Sequence, residues 1–137
     1  EGLPVGKGRP RATTRGGVVR TYTPPRTRAW EKAAAAAFRL RWAREPLGCP
    51  VRLYVVALFP RPARLQWKRR AMLREPHTGR PDGDNILKAC MDSIESAGVV
   101  RRDSCIYYAE ISKWYASGSE SAGVHVRICW SDPPCSL

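Results

Sequence analysis

Residues 49–60, CPVRLYVVALFP, are the stretch of sequence from which the fold is best predicted. They are rich in β-branched and aromatic residues, they have the length of a strand, and prolines bound them near both ends. This pattern is typical of a β-strand. We therefore predict a strand here and assign the neighbouring elements outward from it.

The clearest predicted helix precedes this strand, at residues 27–45, TRAWEKAAAAAFRLRWARE. Alanine is the best helix former, and Thr27 is a candidate N-cap. Pro46 and Gly48 are expected to end the helix. An apolar stripe at helical spacing, interpreted as core rather than as a ligand site, comprises Trp30, Ala34, Ala37, Phe38 and Trp42.

A second helix is predicted at residues 84–97, followed by strands at 105–116 and 122–130. A polar, turn-rich segment joins those two strands. This order of elements predicts an α+β fold, a single domain over residues 1–137 in which a small mixed β-sheet packs against two helices. The predicted buried face of the second helix comprises Ile86, Leu87, Cys90, Met91 and Ile94.

The composition points to a nucleic-acid partner. The chain has 137 residues, enough for one ordinary core, and 24 Lys+Arg against 12 Asp+Glu give a net charge of +12. Such an imbalance is unfavourable in a compact state, and phosphate binding is its usual reason. A surface selected for solubility is the alternative. The chain contains no apolar run of the roughly 20 residues that a membrane span requires.

The cysteine pattern indicates a reducing compartment. The chain has five cysteines and no CxxC pair, and their spacing matches neither a zinc site nor a compact disulfide framework. We therefore expect the protein to be cytoplasmic.

Two basic segments are predicted to contact DNA, mostly through its phosphates. Residues 1–28 are predicted to form a basic arm or hairpin with a turn at Gly16–Gly17, the alternative being a solvated tail. Residues 61–80 form a long basic connector that includes Trp67. Residues 131–137 are predicted to be a disordered tail. The predicted DNA contacts are Lys7, Arg9, Arg11, Arg15, Lys68, Arg69, Arg70 and Arg80.

Two aspartates, Asp82 and Asp84, stand on either side of Gly83 at the predicted mouth of the second helix. Asp84 could serve as an N-cap, but a cap accounts for only one member of the pair. A third acid, Asp103, lies where the loop after the second helix leads into the next predicted strand. We expect it to approach the pair if that strand runs back alongside the helix.

Three carboxylates in a cationic chain predict a site for a hard cation. Mg²⁺ prefers oxygen ligands and is commonly completed by a substrate phosphate. Lys88, one turn beyond Asp84, is placed to stabilise negative charge on that phosphate. The alternative is a simple i,i+4 ion pair with Asp84, worth about 0.3–0.5 kcal/mol. The pattern therefore favours metal-dependent phosphodiester chemistry.

Five segments, taken in order over about residues 6–116, resemble the RusA family of Holliday junction resolvases. They are GKGRPRATTRGG, RTYTPPRTRAWE, HTGRPDGDNILKACMDSI, VVRRDS and AEISKWYA. The resemblance implies a mixed α+β fold, a homodimer, and Mg²⁺, for which Mn²⁺ may substitute. It also implies that four-way DNA junctions are cut by paired symmetric nicks, in recombination and repair.

Residue by residue, the resemblance makes Asp82, Asp84 and Asp103 the catalytic, metal-binding carboxylates, and Lys88 the catalytic lysine. It gives supporting roles to Asn85 and Asp92. Two positions depart from the family pattern: Gly83 stands where an aliphatic residue is usual, and Arg102 stands where many members carry a second acid.

Two alternative functions stay open at this point. The same chemistry could act on other branched DNA, such as flaps or forks. The acids could instead cap helices in a junction-binding protein that does not cut.

Overall fold

The computed structural model describes residues 2–8, 11–15, 18–67 and 69–131, with described side chains only at Ala12 and Tyr22 within the first two strands. Two helices and a mixed sheet confirm the predicted α+β class. Short 3₁₀ turns lie at Ala63–Leu65 and Asp103–Cys105. In chain order the elements are β1 (Arg11–Arg15), β2 (Val18–Tyr22), α1 (Pro25–Arg41), β3 (Val51–Phe59), β4 (Glu75–Pro76), α2 (Gly83–Ser96), β5 (Ile106–Tyr115) and β6 (Gly123–Trp130).

The predicted strand at 49–60 is β3, an inner strand of a four-stranded sheet ordered β4-β5-β3-β6. It pairs in parallel with β5 and antiparallel with β6. The segment between β3 and β5 contains α2, so the connection is a β-α-β crossover. The β-branched run is therefore the centre of the sheet.

Alternate residues of β3 form the core. Val51, Leu53, Val55 and Ala57 are each at most 2% exposed. Burial of each valine or leucine side chain contributes about 1.5–3 kcal/mol. The predicted buried face of α2 is confirmed. Ile86, Cys90 and Ile94 are buried, and Leu87 and Met91 are partly buried against the core.

Helix α1 begins two residues before the predicted start, and the N-cap assignment of Thr27 is wrong. Pro25 occupies the first turn, where a missing N–H costs no intrahelical hydrogen bond. Thr27 is buried instead, and its Oγ1 accepts a long 3.4 Å hydrogen bond from the backbone N–H of Gly8. The helix ends at Arg41, because Trp42 is extended and packs edge-on against Trp130 at 5.4 Å.

The two N-terminal strands pair with each other. β1 and β2 pair antiparallel, from Arg11 opposite Tyr22 to Arg15 opposite Val18. The predicted turn residues Gly16 and Gly17 lie outside the described residues. All of the predicted disordered tail except Ser131 also lies outside them.

The described ranges contain four of the five cysteines and both helices. Cys49, Cys90, Cys105 and Cys129 are free thiols. No described helix combines the length and the apolar character needed to cross a bilayer.

Candidate active site

The two paired aspartates lie at the start of α2. Asp82 is the residue that precedes the helix, with extended backbone, and its side chain makes no capping hydrogen bond. Asp84 lies within the first turn, so its alternative role as the N-cap is wrong. Both residues are exposed. The positive end of the helix dipole favours negative charge at this position, and the carboxylates face solvent.

Lys113, on β5, holds the loop that carries the acids. Its Nζ donates hydrogen bonds to the carbonyl oxygens of Gly79, at 2.7 Å, and of Pro81, at 2.9 Å. Reasoning from the sequence missed this residue, although AEISKWYA was among the quoted segments. Alternation along β5 was the available signal, since Ile111 and Lys113 must share one face of the sheet.

The N-terminal segment packs against the same loop. The backbone N–H of Lys7 donates to the carbonyl oxygen of Asn85, at 2.8 Å. Gly6 lies so close to the loop that a Cβ there would be 2.7 Å from Cβ of Pro81 and 3.1 Å from Cβ of Asn85. The first part of the predicted basic arm is therefore docked on the acid loop, and the Asn85 backbone anchors it.

Asp92 lies between two lysines. The ammonium group of Lys7 contacts its Oδ2, and Nζ of Lys88 lies 3.9 Å from its Oδ1. In the described ion pairs Lys88 is thus partnered by Asp92 and not by Asp84, the partner expected in the simpler interpretation. The Lys88 side chain remains 61% exposed, so it is accessible to a ligand.

Asp103 lies in the 3₁₀ turn immediately before β5. β5 does run back along α2, because Ile111 faces Gly83 and Lys113 binds the acid loop. That return brings Ile111 and Lys113 to the acid pair, whereas Asp103 lies eight residues earlier, toward the other end of a helix about 21 Å long. Among the described residues of one chain, no group of three or more His, Cys, Asp or Glu could hold a metal ion.

The predicted DNA contacts have different surroundings. Arg69, Arg70 and Arg80 are exposed. Lys7 is bound to Asp92, as described above. Arg11 and Arg15 lie in β1, but their side chains are outside the described part of the structure. Arg9 and Lys68 lie outside it altogether.

Arg61 organises the basic connector that follows β3. Its side chain, only 5% exposed, donates hydrogen bonds to the carbonyl oxygen of Ala116, at 2.9 Å, and to that of Leu65, at 3.0 Å. It also pairs with Glu75 at 2.9 Å. The exposed Arg70 guanidinium stacks on Trp67, with its carbon 3.7 Å from the ring centroid. The connector is therefore anchored by Arg61 and carries the Trp67 ring beside the exposed Arg70.

The structure thus combines an exposed acid pair at the start of a helix with an α+β fold and a net charge of +12. Residues 1–129 match the family model described as endodeoxyribonuclease RusA. The chain is also similar to the crossover junction endodeoxyribonuclease RusA of Aquifex aeolicus (strain VF5), with 26% identity over 125 residues that cover 91% of this chain and 85% of the relative. The protein belongs to the RusA family of endodeoxyribonucleases, which are hydrolases acting on DNA.

Proposed function

We propose that this protein is a Mg²⁺-dependent endonuclease that resolves four-way DNA junctions by paired symmetric nicks, in recombination and repair. The observation that carries the proposal is the exposed acid pair Asp82 and Asp84, held at the mouth of α2 in a chain of net charge +12. We place the activity in the cytoplasm, where reducing conditions preserve the free thiols.

The donor set fits a hard divalent cation. Carboxylate oxygens are the ligands that Mg²⁺, or Mn²⁺ in its place, prefers, and substrate phosphate and water complete the coordination. When bound, the ion supplies a coordinated water of lowered pKa and neutralises charge on the phosphate. Asp82 and Asp84 would hold the ion. Lys88 would stabilise negative charge on the phosphate, and Lys113 would keep the loop in position.

A homodimer is the active unit in this proposal, with the partner subunit's Asp103 completing each site. Within the described residues β5 has a strand on its outer side only at Trp114 and Tyr115, where β4 pairs. The remaining outer edge, with Tyr107 59% exposed and Tyr108 44% exposed, is open to a second copy. Antiparallel pairing of two β5 edges would bring the start of one strand, where Asp103 lies, toward the later half of the other. Two sites related by a twofold axis would match the symmetry of a junction.

Mixing two inactive variants tests the shared site. Asp82→Asn and Asp103→Asn are each expected to abolish nicking. A 1:1 mixture with exchanged subunits should recover roughly a quarter of the wild-type sites, because half of the dimers would carry one intact site. The matched control mixes Asp82→Asn with Asp84→Asn, which leaves every site defective. Recovery in the control, or none in the first mixture, would contradict a site shared in this way.

A panel of substrates tests the activity itself. The purified protein is incubated with a mobile four-way junction, a flap, a fork and a linear duplex, each in Mg²⁺ and in EDTA. We expect symmetric nicks in the junction, in Mg²⁺ alone. Preferential cutting of flaps or forks would replace the proposed substrate by another branched DNA. Binding of the junction without nicking under either condition would establish the non-catalytic alternative.

A further inference from the structure

A groove of about 400 Å³ lies between α1, α2 and the docked N-terminal segment. We call it the α1–α2 groove. Ala35 on α1 is 3% exposed and Ser93 on α2 is 1% exposed, and both contribute to its lining. The helices therefore approach closely at these small residues, and longer side chains project along the sides of the groove.

Four of those longer side chains are cationic: Lys7, Arg28, Lys32 and Arg39. The last three recur at four- and seven-residue intervals along α1, so they lie on one face of that helix. Two carboxylates, from Glu31 and Asp92, accompany them. Like charges held on one helix face repel one another, so this excess of positive charge opposes folding. Binding of an anion would offset the repulsion.

The contacts leave most of these cations accessible. Arg28, Lys32 and Arg39 are exposed. Arg39 reaches across to α2, where it donates a 2.6 Å hydrogen bond to the carbonyl oxygen of Ser96. That bond uses one of its five donors and fixes the guanidinium at the edge of the groove.

The groove, whose lining includes Asp92, lies about 12 Å along α2 from Asp84 of the acid pair. Asp84, Lys88, Asp92 and Ser96 recur every four residues on α2, so they follow a winding line that turns about 120° around the helix from end to end. The line spans about 18 Å, close to the axial rise of five base pairs. Asp92 binds Lys7 at the groove and Lys88 beside the acids, and so couples the two regions. A polyanion that entered the groove would extend directly to the candidate active site.

We propose that the α1–α2 groove binds the phosphate backbone of one DNA arm next to the scissile phosphate. This inference rests on the proposed function, since it gives the path of the substrate through the same site. Lys32 and Arg39 contact phosphates, and Asp92 positions Lys7 and Lys88 between the groove and the acids. Neither Lys32 nor Arg39 was among the DNA contacts predicted from the sequence.

The test measures binding without cleavage. Affinity for a four-way junction is measured in EDTA over a range of salt concentrations, for wild type and for the double variant Lys32→Gln/Arg39→Gln. We expect affinity to fall about tenfold and the slope of log K against log [salt] to shrink by about 2. The matched control, Arg44→Gln/Arg127→Gln, removes the same charge from exposed arginines that stack on Trp130 and Tyr54. It should leave both quantities within about twofold of wild type.

A second variant acts in the opposite direction. Glu31→Gln removes one negative charge from the groove and should tighten binding severalfold. If the double variant fails to fold, the affinity of Glu31→Gln tests the groove by itself. Unchanged affinity and salt slope in the double variant, or unchanged affinity in Glu31→Gln, would overturn the groove as a DNA site. Since the readout is binding in EDTA, a wild type that binds but never nicks would reject the proposed function and leave this inference standing.

Discussion

At the scale of single residues, two glycines near the acids are under opposite constraints. Gly83 has no positive φ, and a Cβ there would meet Ile111 Cγ2 at 3.4 Å, an ordinary contact distance. Gly6 has no such room, because a Cβ there would lie 2.7 Å from Pro81. Gly83, which stands where the family usually has an aliphatic residue, therefore has space for a Cβ. Gly6, in contrast, is required by the close docking of the N-terminal segment.

Gly83→Ala is expected to stabilise the protein by about 0.5–1 kcal/mol and to preserve nicking. Alanine restricts the unfolded chain and suits the first turn of a helix. Denaturant unfolding measures the change. Gly6→Ala is the matched comparison and should destabilise the protein, because Pro81 must move. A loss of stability in Gly83→Ala would show that the loop does not have the room described.

Lys113→Met should weaken catalysis without weakening DNA binding. The change removes the two hydrogen bonds to the acid loop and retains most of the apolar stem. We expect nicking to fall roughly tenfold, as for other residues that orient metal ligands, and the Mg²⁺ concentration for half-maximal rate to rise. Junction affinity in EDTA should stay within about twofold. A reduced rate with an unchanged Mg²⁺ requirement would contradict a positioning role for Lys113.

At the scale of elements, a stack of rings joins the short strand β4 to its neighbours. His77, immediately after β4, stacks on Phe59 of β3 with ring centroids 3.8 Å apart, and meets Tyr115 of β5 edge-on at 4.8 Å. Burial lowers the pKa of His77, and the nearby charge of Lys113 lowers it further. The neutral imidazole is therefore the form that the fold favours.

That preference determines the direction in which the free energy of unfolding changes with pH. Below the ordinary pKa of 6.5 the unfolded chain protonates His77 before the folded chain does, so the free energy of unfolding falls as the pH falls through this range. In His77→Phe, which retains a ring on Phe59, the loss between about pH 7.5 and about pH 5.5 should be smaller than in wild type. Denaturant midpoints at the two pH values provide the measurement. Equal losses in the two proteins would contradict this account of His77.

At the scale of the whole molecule, local signals in the sequence predicted the elements well. The β-branched run at 51–59 forms an inner strand, and the apolar spacing of α2 gives its buried face. The start of α1 was predicted at Thr27, two residues too late, because Pro25 was not included in the helix. A proline in the first turn is compatible with a helix, since its missing N–H has no intrahelical partner.

The relative positions of the acids could be understood only once the chain topology was known. Because β3 and β5 are parallel, the crossover makes α2 run opposite to both strands. The later half of β5 therefore returns to the acid pair, while the residue that precedes β5 lies toward the far end of the helix. The sequence identified Asp82, Asp84 and Asp103 as candidates, but not their separation within one chain. The α1–α2 groove was also missed: Arg28, Lys32 and Arg39 share one face of α1, but the other side of the groove is formed by Lys7 and α2, which are distant in the sequence.

Cleavage by Asp82→Asn is the decisive measurement for the catalytic role of the acid pair, because this substitution changes one carboxylate oxygen to an amide nitrogen and little else. Nicking of a four-way junction in Mg²⁺ and binding of that junction in EDTA are measured beside wild type. We expect nicking to be lost, while junction affinity is unchanged or higher because a negative charge near phosphate is gone. Nicking by Asp82→Asn at the wild-type rate would contradict the assignment of the acid pair at the mouth of α2 as the catalytic centre.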